Sequence, residues 1–244
     1  MTTDHDDRTP PGMTGDARRS QQWYYYHFGS HQASSADFQP DALFGRSFRG
    51  CFVLVADFCS FSKFLWATPE VEIINPLLTS MYTDMRRSIQ GAGGMLSQIV
   101  GDAVIGVWGI PGTTSDSAQV LACARQITEI GIRYARQWQN AIDLVIEPQG
   151  MRSGLSKGEI AVIKRDSDYE GMACLGSAIN LATRLQVLAE PNELLCSNAA
   201  HRDVDAVEGY EFAPYQGDNG EMLINAKNFG PVKAWRCGLA PRDA

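Results

Sequence analysis

Two aspartates stand where carboxylates could do chemistry. Asp57 ends an apolar, β-branched run (residues 51–56, CFVLVA), and Asp102 follows Gly101 between two further strand-like segments. Carboxylates that meet across neighbouring strands repel each other unless a cation lies between them, which suits a magnesium or manganese site. Each also has a plainer use, Asp57 as the cap of a following helix and Asp102 as a turn residue. A second pair, Asn180 and Arg184, is spaced to share one helix face. It could offer an amide and a guanidinium to a phosphate, or form ordinary polar helix surface. The cysteines (Cys51, Cys59, Cys123, Cys174, Cys196 and Cys237) form no C-x-x-C pair, and the histidines show no ligand spacing. Buried free thiols in a reducing compartment follow from that pattern.

These residues must be held by strands and helices that the patterning partly reveals. Residues 51–56 read as a central strand. Ile74, Leu77, Leu78, Met81, Met85 and Ile89 form the stripe of an amphipathic helix that Gly91 stops. Residues 95–100 and 103–108 are two strands joined by Gly101-Asp102. Ser115 or Asp116 caps a long helix with Val120, Ala124, Ile127, Tyr134 and Trp138 on its apolar face. Residues 151–155 and 159–163 read as strands around a turn at Lys157-Gly158, residues 177–189 as a helix, and 194–197, 210–215, 222–226 and 232–237 as late strands. The order predicts an α/β (α+β) sandwich: a mixed sheet with helices packed on it.

The chain has 244 residues, 44% of them hydrophobic, enough for one packed domain. Residues 1–45 read as a disordered tail, to about residue 22, and an aromatic N-terminal arm (WYYYHF, 23–28). Residues 46–240 read as the folded domain. A net charge of −7 argues against coating nucleic acid or anionic membrane. No apolar run approaches the ~20 residues that span a bilayer, and the N-terminus lacks a signal-peptide pattern. A cytoplasmic protein is expected.

Four segments carry a family resemblance. Asp57-Phe58-Cys59-Ser60-Phe61-Ser62 resembles the D-I-x-G-F-T segment of class III adenylyl and guanylyl cyclases, and Val100-Gly101-Asp102-Ala103 resembles their I-G-D-A turn. Residues 176–185 (GSAINLATRL) are similar to their G-x-x-V-N-x-A-x-R-L helix, and residues 226–232 (AKNFGPV) to their L-K-G-F-x-x-P-V segment. The resemblance implies a ferredoxin-like βαββαβ core and a two-metal cyclase. Asp57, Asp102 and the backbone carbonyl of Phe58 would hold two divalent cations, Mn2+ or Mg2+. Backbone N–H groups around Ser60, Phe61 and Ser62 would meet the β- and γ-phosphates, although Ser60 stands where the family has glycine. Asn180 would orient the ribose, Arg184 would stabilise charge on the α-phosphate, and Lys227 would contact the triphosphate. The family works as a head-to-tail dimer with shared sites, so a homodimer is implied.

The base-reading positions depart from the family. Adenylyl cyclases place a lysine where this chain has Gln98 and an aspartate or threonine where it has Ala173; guanylyl cyclases place a glutamate at the first. Gln98 offers one donor and one acceptor, which suits uracil, or cytosine after an amide flip. On these positions the chain resembles the bacterial pyrimidine cyclases of antiphage signalling, with UTP favoured over CTP. That likeness implies a cyclic-nucleotide messenger and a downstream effector that reads it. A cytidylate or purine cyclase, or a non-catalytic nucleotide-binding module, stays open on sequence alone.

Overall fold

The computed structural model describes residues 15–29, 42–164, 172–217, 223–226 and 230–240. Strand β1 (Arg46–Phe58) leads through a short helix α2 (Phe61–Ala67) into α3 (Val71–Gly91), then the hairpin of β2 (Met95–Val100) and β3 (Ala103–Trp108). Helix α4 (Ser117–Ile142) returns the chain to β4 (Met151–Lys164). Asp116 is its cap, accepting from Ala118 N at 2.9 Å. In space these strands run β2-β3-β1-β4. That is the ferredoxin-like βαββαβ arrangement, formed here by β1-α3-β2-β3-α4-β4. The sheet continues through β6 (Glu193–Ser197), β9 (Gly230–Gly238) and β7 (Ala213–Pro214), with β5 (Met172–Leu175) on β4 and β8 (Leu223–Ala226) on β9. The β4–β6 pair is parallel and its neighbours antiparallel, so the sheet is mixed.

Two apolar layers cover it. Beneath α3, α4 and the short α6 (Asn198–Val204), one core gathers Phe52, Leu54, Phe58, Met85, Leu121 and Trp138. On the opposite face, α1 (Gly15–Phe28) and α5 (Ser177–Leu188) pack on Val53, Val55, Ile160 and Val162. Thus the period-two alternation of β1 feeds both layers.

Several boundaries differ from the sequence expectation. The chain from 151 to 164 is one unbroken strand, with no turn at Lys157-Gly158. Gly158 serves close packing instead, since a Cβ there would lie 3.3 Å from the Ala178 Cβ of α5. Helix α1 begins at Gly15, inside the segment predicted as tail, because Trp23, Tyr24 and Phe28 bury on the sheet and anchor it. The strand expected over 210–215 shrinks to Ala213–Pro214. Among the described residues no helix is long and apolar enough to cross a membrane.

Candidate active site

Alternation places Asp57. Cys51, Val53 and Val55 face the α1/α5 layer, and Asp57 continues that set at the mouth of β1. The next helix starts at Phe61 with Ser60 as its cap residue, so Asp57 is not a helix cap. Ala56 pairs with Val104 at the end of the β1–β3 ladder. The Gly101-Asp102 turn therefore falls beside Asp57, and the two carboxyl groups are in hydrogen-bond contact. Gly101 turns at φ +60, and the Tyr82 hydroxyl of α3 donates to its carbonyl at 2.9 Å, fixing the turn from outside.

The pair is half-buried. Burial first, and then the Asp57 charge, push Asp102 up to about 6. Burial also raises Asp57, while Asp102, Arg152 and Gln186 pull it back. Neither Arg152 nor Gln186 was singled out in the sequence. Arg152 stands directly opposite Asp57 in the β1–β4 register, and its buried Nε makes no hydrogen bond. Gln186 donates from Nε2 to Asp57 Oδ2 at 3.3 Å. A signal existed for each: an arginine among the small and apolar residues that open the strand, and an amide one turn after Ala182 on the apolar helix face.

Phe58 packs its ring against Phe64 and Trp138, which leaves only its backbone carbonyl for chemistry. Beyond it, Ser60 takes φ 60, a left-handed conformation that favours glycine, and its hydroxyl donates to Pro148 O at 3.0 Å. Phe61 is partly buried on the aromatic cluster and Ser62 is exposed at the start of α2. The turn from Ser60 to Ser62 begins three residues beyond Asp57.

Gln98 reaches the surface through a bulge. Leu96 pairs with Gly106 but Gln98, not Ser97, pairs with Ile105. Leu96 and Ile99 consequently face the same core although three residues apart. Gln98 is thereby turned to the opposite face and is exposed. There Ser97 meets the Cys174 thiol of β5, next to Ala173, so the positions expected from sequence to read the base lie on strands that meet. The arm reinforces the bulge: His27 Nδ1 lies 2.5 Å from Leu96 O, and Gln90 Nε2 donates to Tyr25 O and Tyr26 O at 3.1 and 2.7 Å. Burial lowers His27 to about 4, so its neutral Nδ1–H is the donor.

Asn180 and Arg184 are not brought to the aspartates. Ala178, Ala182, Leu185 and Gln186 form the inner face of α5, while Asn180 and Arg184 point outward and are exposed. Lys227 lies outside the described residues. A cavity of about 560 Å3 between α3 and α4 is lined by Asp84, Arg87, Glu129 and Arg133, among others, and includes neither aspartate.

The donors fit hard divalent cations. Two juxtaposed carboxylates raised by burial, Asp102 by the Asp57 charge as well, gain most from a shared cation, and an orphaned guanidinium nitrogen beside them suits an anionic ligand. Among the described residues no group of three or more His, Cys, Asp or Glu side chains forms a metal cage. Backbone and phosphate oxygens would complete the coordination, as is usual for Mg2+.

Comparison with known proteins agrees with this geometry. The family model described as "Adenylate and Guanylate cyclase catalytic domain" matches residues 46–232. The guanylate cyclase soluble subunit beta-2 of Homo sapiens is 26% identical over 181 residues, 74% of this chain and 27% of that protein. The chain thus spans about a quarter of that relative's length. Among solved structures, the adenylyl cyclase CyaB from P. aeruginosa is similar at TM-score 0.65 and 22% identity, covering 82% of this chain and 99% of that one. The guanylate cyclase domain of RhGC from Catenaria anguillulae in complex with GTP matches at TM-score 0.58 and 16% identity, over 79% and 97% of the two chains.

Proposed function

Because the chain belongs to the family of adenylate and guanylate cyclase catalytic domains, we propose that it closes a nucleoside triphosphate, most of all UTP, into the 3′,5′-cyclic monophosphate with release of pyrophosphate. Asp57, Asp102 and the Phe58 carbonyl hold two divalent cations, Mg2+ or Mn2+. Once bound, these supply Lewis-acid chemistry that favours the ribose 3′-oxygen as nucleophile and offsets triphosphate charge. The backbone around Ser60 to Ser62 takes the β- and γ-phosphates, with Arg152 and Lys227 as cationic partners. As the 3′-oxygen bonds to the α-phosphorus and the bridging oxygen leaves with pyrophosphate, negative charge gathers on the α-phosphate oxygens. An arginine stabilises that charge, and Arg184 is assigned the role, with Asn180 orienting the ribose.

The outward placement of Asn180 and Arg184 supports a homodimer in which these residues serve the other copy's aspartates. Two equivalent composite sites result. Pyrimidine selectivity rests on one observation: the bulge turns out Gln98, a neutral amide, on a strand that meets β5, where Ala173 offers no side-chain hydrogen bond. Neither the charge that suits adenine N1 nor the double acceptor that suits guanine is present. The cyclic product would act as a messenger for a separate effector in antiviral defence. A purine cyclase is the second reading, favoured by the similarity to the guanylate cyclase beta-2 subunit.

Incubating the pure protein with each of the four ribonucleoside triphosphates and Mn2+, with products identified by mass, tests both levels. Cyclic UMP as the dominant product is expected. Dominant cyclic AMP or cyclic GMP overturns the pyrimidine assignment, and no product from any of the four overturns the catalytic one.

A further inference from the structure

Helix α5 touches the aspartate pair from a side that its outward residues do not use. Its inner face rests on β1 and β4. The approach is close enough that a Cβ on Gly154 would lie 2.0 Å from Ala182 O and 2.4 Å from Gln186 N. Gly154 sits opposite Val55 in the β1–β4 register, two residues along from the Asp57–Arg152 pair. The Ser156 hydroxyl of β4 donates to Ala178 O at 2.5 Å, pinning the first turn of the same helix. So the height and rotation of α5 are fixed against the strands that carry Asp57.

In that setting Gln186 is buried to 6% exposure and gives its amide N–H to Asp57 Oδ2. A buried amide donor commits one carboxylate oxygen and leaves the other directed away, as groups behind metal ligands commonly do. Being neutral, the amide adds no competing negative charge. Asn180 and Arg184 occupy the opposite side of the same helix.

We infer that Gln186 is the positioning residue of Asp57, and that through it α5 mechanically links the metal carboxylate of its own chain to the Asn180–Arg184 face offered to a second copy. The inference rests on the cyclase reading for the roles of Asp57 and Arg184, yet its test needs no turnover. Mn2+ alone is titrated into the intact protein, and free Mn2+ is read by electron paramagnetic resonance. Gln186→Met keeps length and volume but removes the donor, and it is expected to weaken Mn2+ binding by ~10-fold or more. A purely structural role would instead lower the thermal midpoint and leave Mn2+ affinity within about twofold of wild type, which overturns the inference. Asp57→Asn is the control. If it binds Mn2+ as well as wild type does, the metal-site reading itself falls; if it alone loses Mn2+, only the role of Gln186 falls. A second measurement needs no variant at Gln186. In 15N-labelled wild-type protein, Mg2+ should shift the Gln186 side-chain amide resonances, and in Asp57→Asn it should not. An amide that is silent to Mg2+ in wild type also overturns the inference.

Discussion

Asp102→Asn should make the metal-free protein more stable while abolishing turnover. The folded chain holds Asp102 at about 6 against an ordinary 3.8. Between those values the folded state keeps a proton that the unfolded state has lost, so stability falls as pH rises through that window and the penalty is complete above it. About two pKa units correspond to a ceiling of ~3 kcal/mol at ~1.4 kcal/mol per unit. Asp102 is half-exposed, and solvent screening reduces this to ~1–2 kcal/mol. Asparagine keeps the shape and removes the charge. For a domain of this size the gain amounts to ~3–6 °C in melting temperature. Differential scanning fluorimetry at pH 7.5 with a chelator should show the variant melting higher than wild type, with the gap narrowing as pH falls below about 6 and closing below 3.8. Added Mn2+ should raise the wild-type midpoint and leave the variant unmoved, since a ligand stabilises only a state that binds it. Equal midpoints at pH 7.5, or a gap that widens towards acid, would refute the electrostatic account of the pair.

Three further outcomes follow from the same geometry. Asp57→Ala and Arg184→Ala chains should each be inactive alone, yet an equimolar mixture should recover about a quarter of wild-type activity in a turnover assay, because random pairing gives mixed dimers with one intact site. Gly154→Ala drives a methyl into Ala182 O and Gln186 N; it should cost ~2–3 kcal/mol, seen as a melting temperature lower by ~5–10 °C. Gln98→Lys combined with Ala173→Asp restores the adenine-reading pair, and should move the cyclic AMP to cyclic UMP product ratio by ~10-fold or more under competition.

The strongly periodic elements were legible from residue patterns. The run at 51–56, the stripes of α3 and α4, the Asp116 cap and the Asn180–Arg184 helix all stand where their spacing predicts. What escaped depended on partners distant in sequence. Lys157-Gly158 has the composition of a turn, yet Lys157 lies over the Phe52 ring and Gly158 makes room for α5, so tertiary packing overrides local preference. Arg152 and Gln186 carry no motif, and their importance appears only when β4 and α5 close on Asp57. The short helix α6 rests on Ser197 accepting from Ala200 N at 3.2 Å, a capping signal too brief to separate from a loop. The Asp102 turn was placed correctly, but its support from Tyr82 is a contact between elements that no local pattern announces.

The bulge in β2 makes the face that residue 98 presents a matter of reading frame as well as residue type. Were Ser97 kept but drawn into regular pairing, alternation from Leu96 onward would shift by one residue, and the amide at position 98 would share the face of Leu96, inside the apolar layer beneath α3. Asp57 and Arg184 would be untouched, yet the residue proposed to read the base would be turned to the wrong page. An exchange of side chains between relatives should therefore be matched by strand register, to the residue opposite Ile105, and not by sequence count alone.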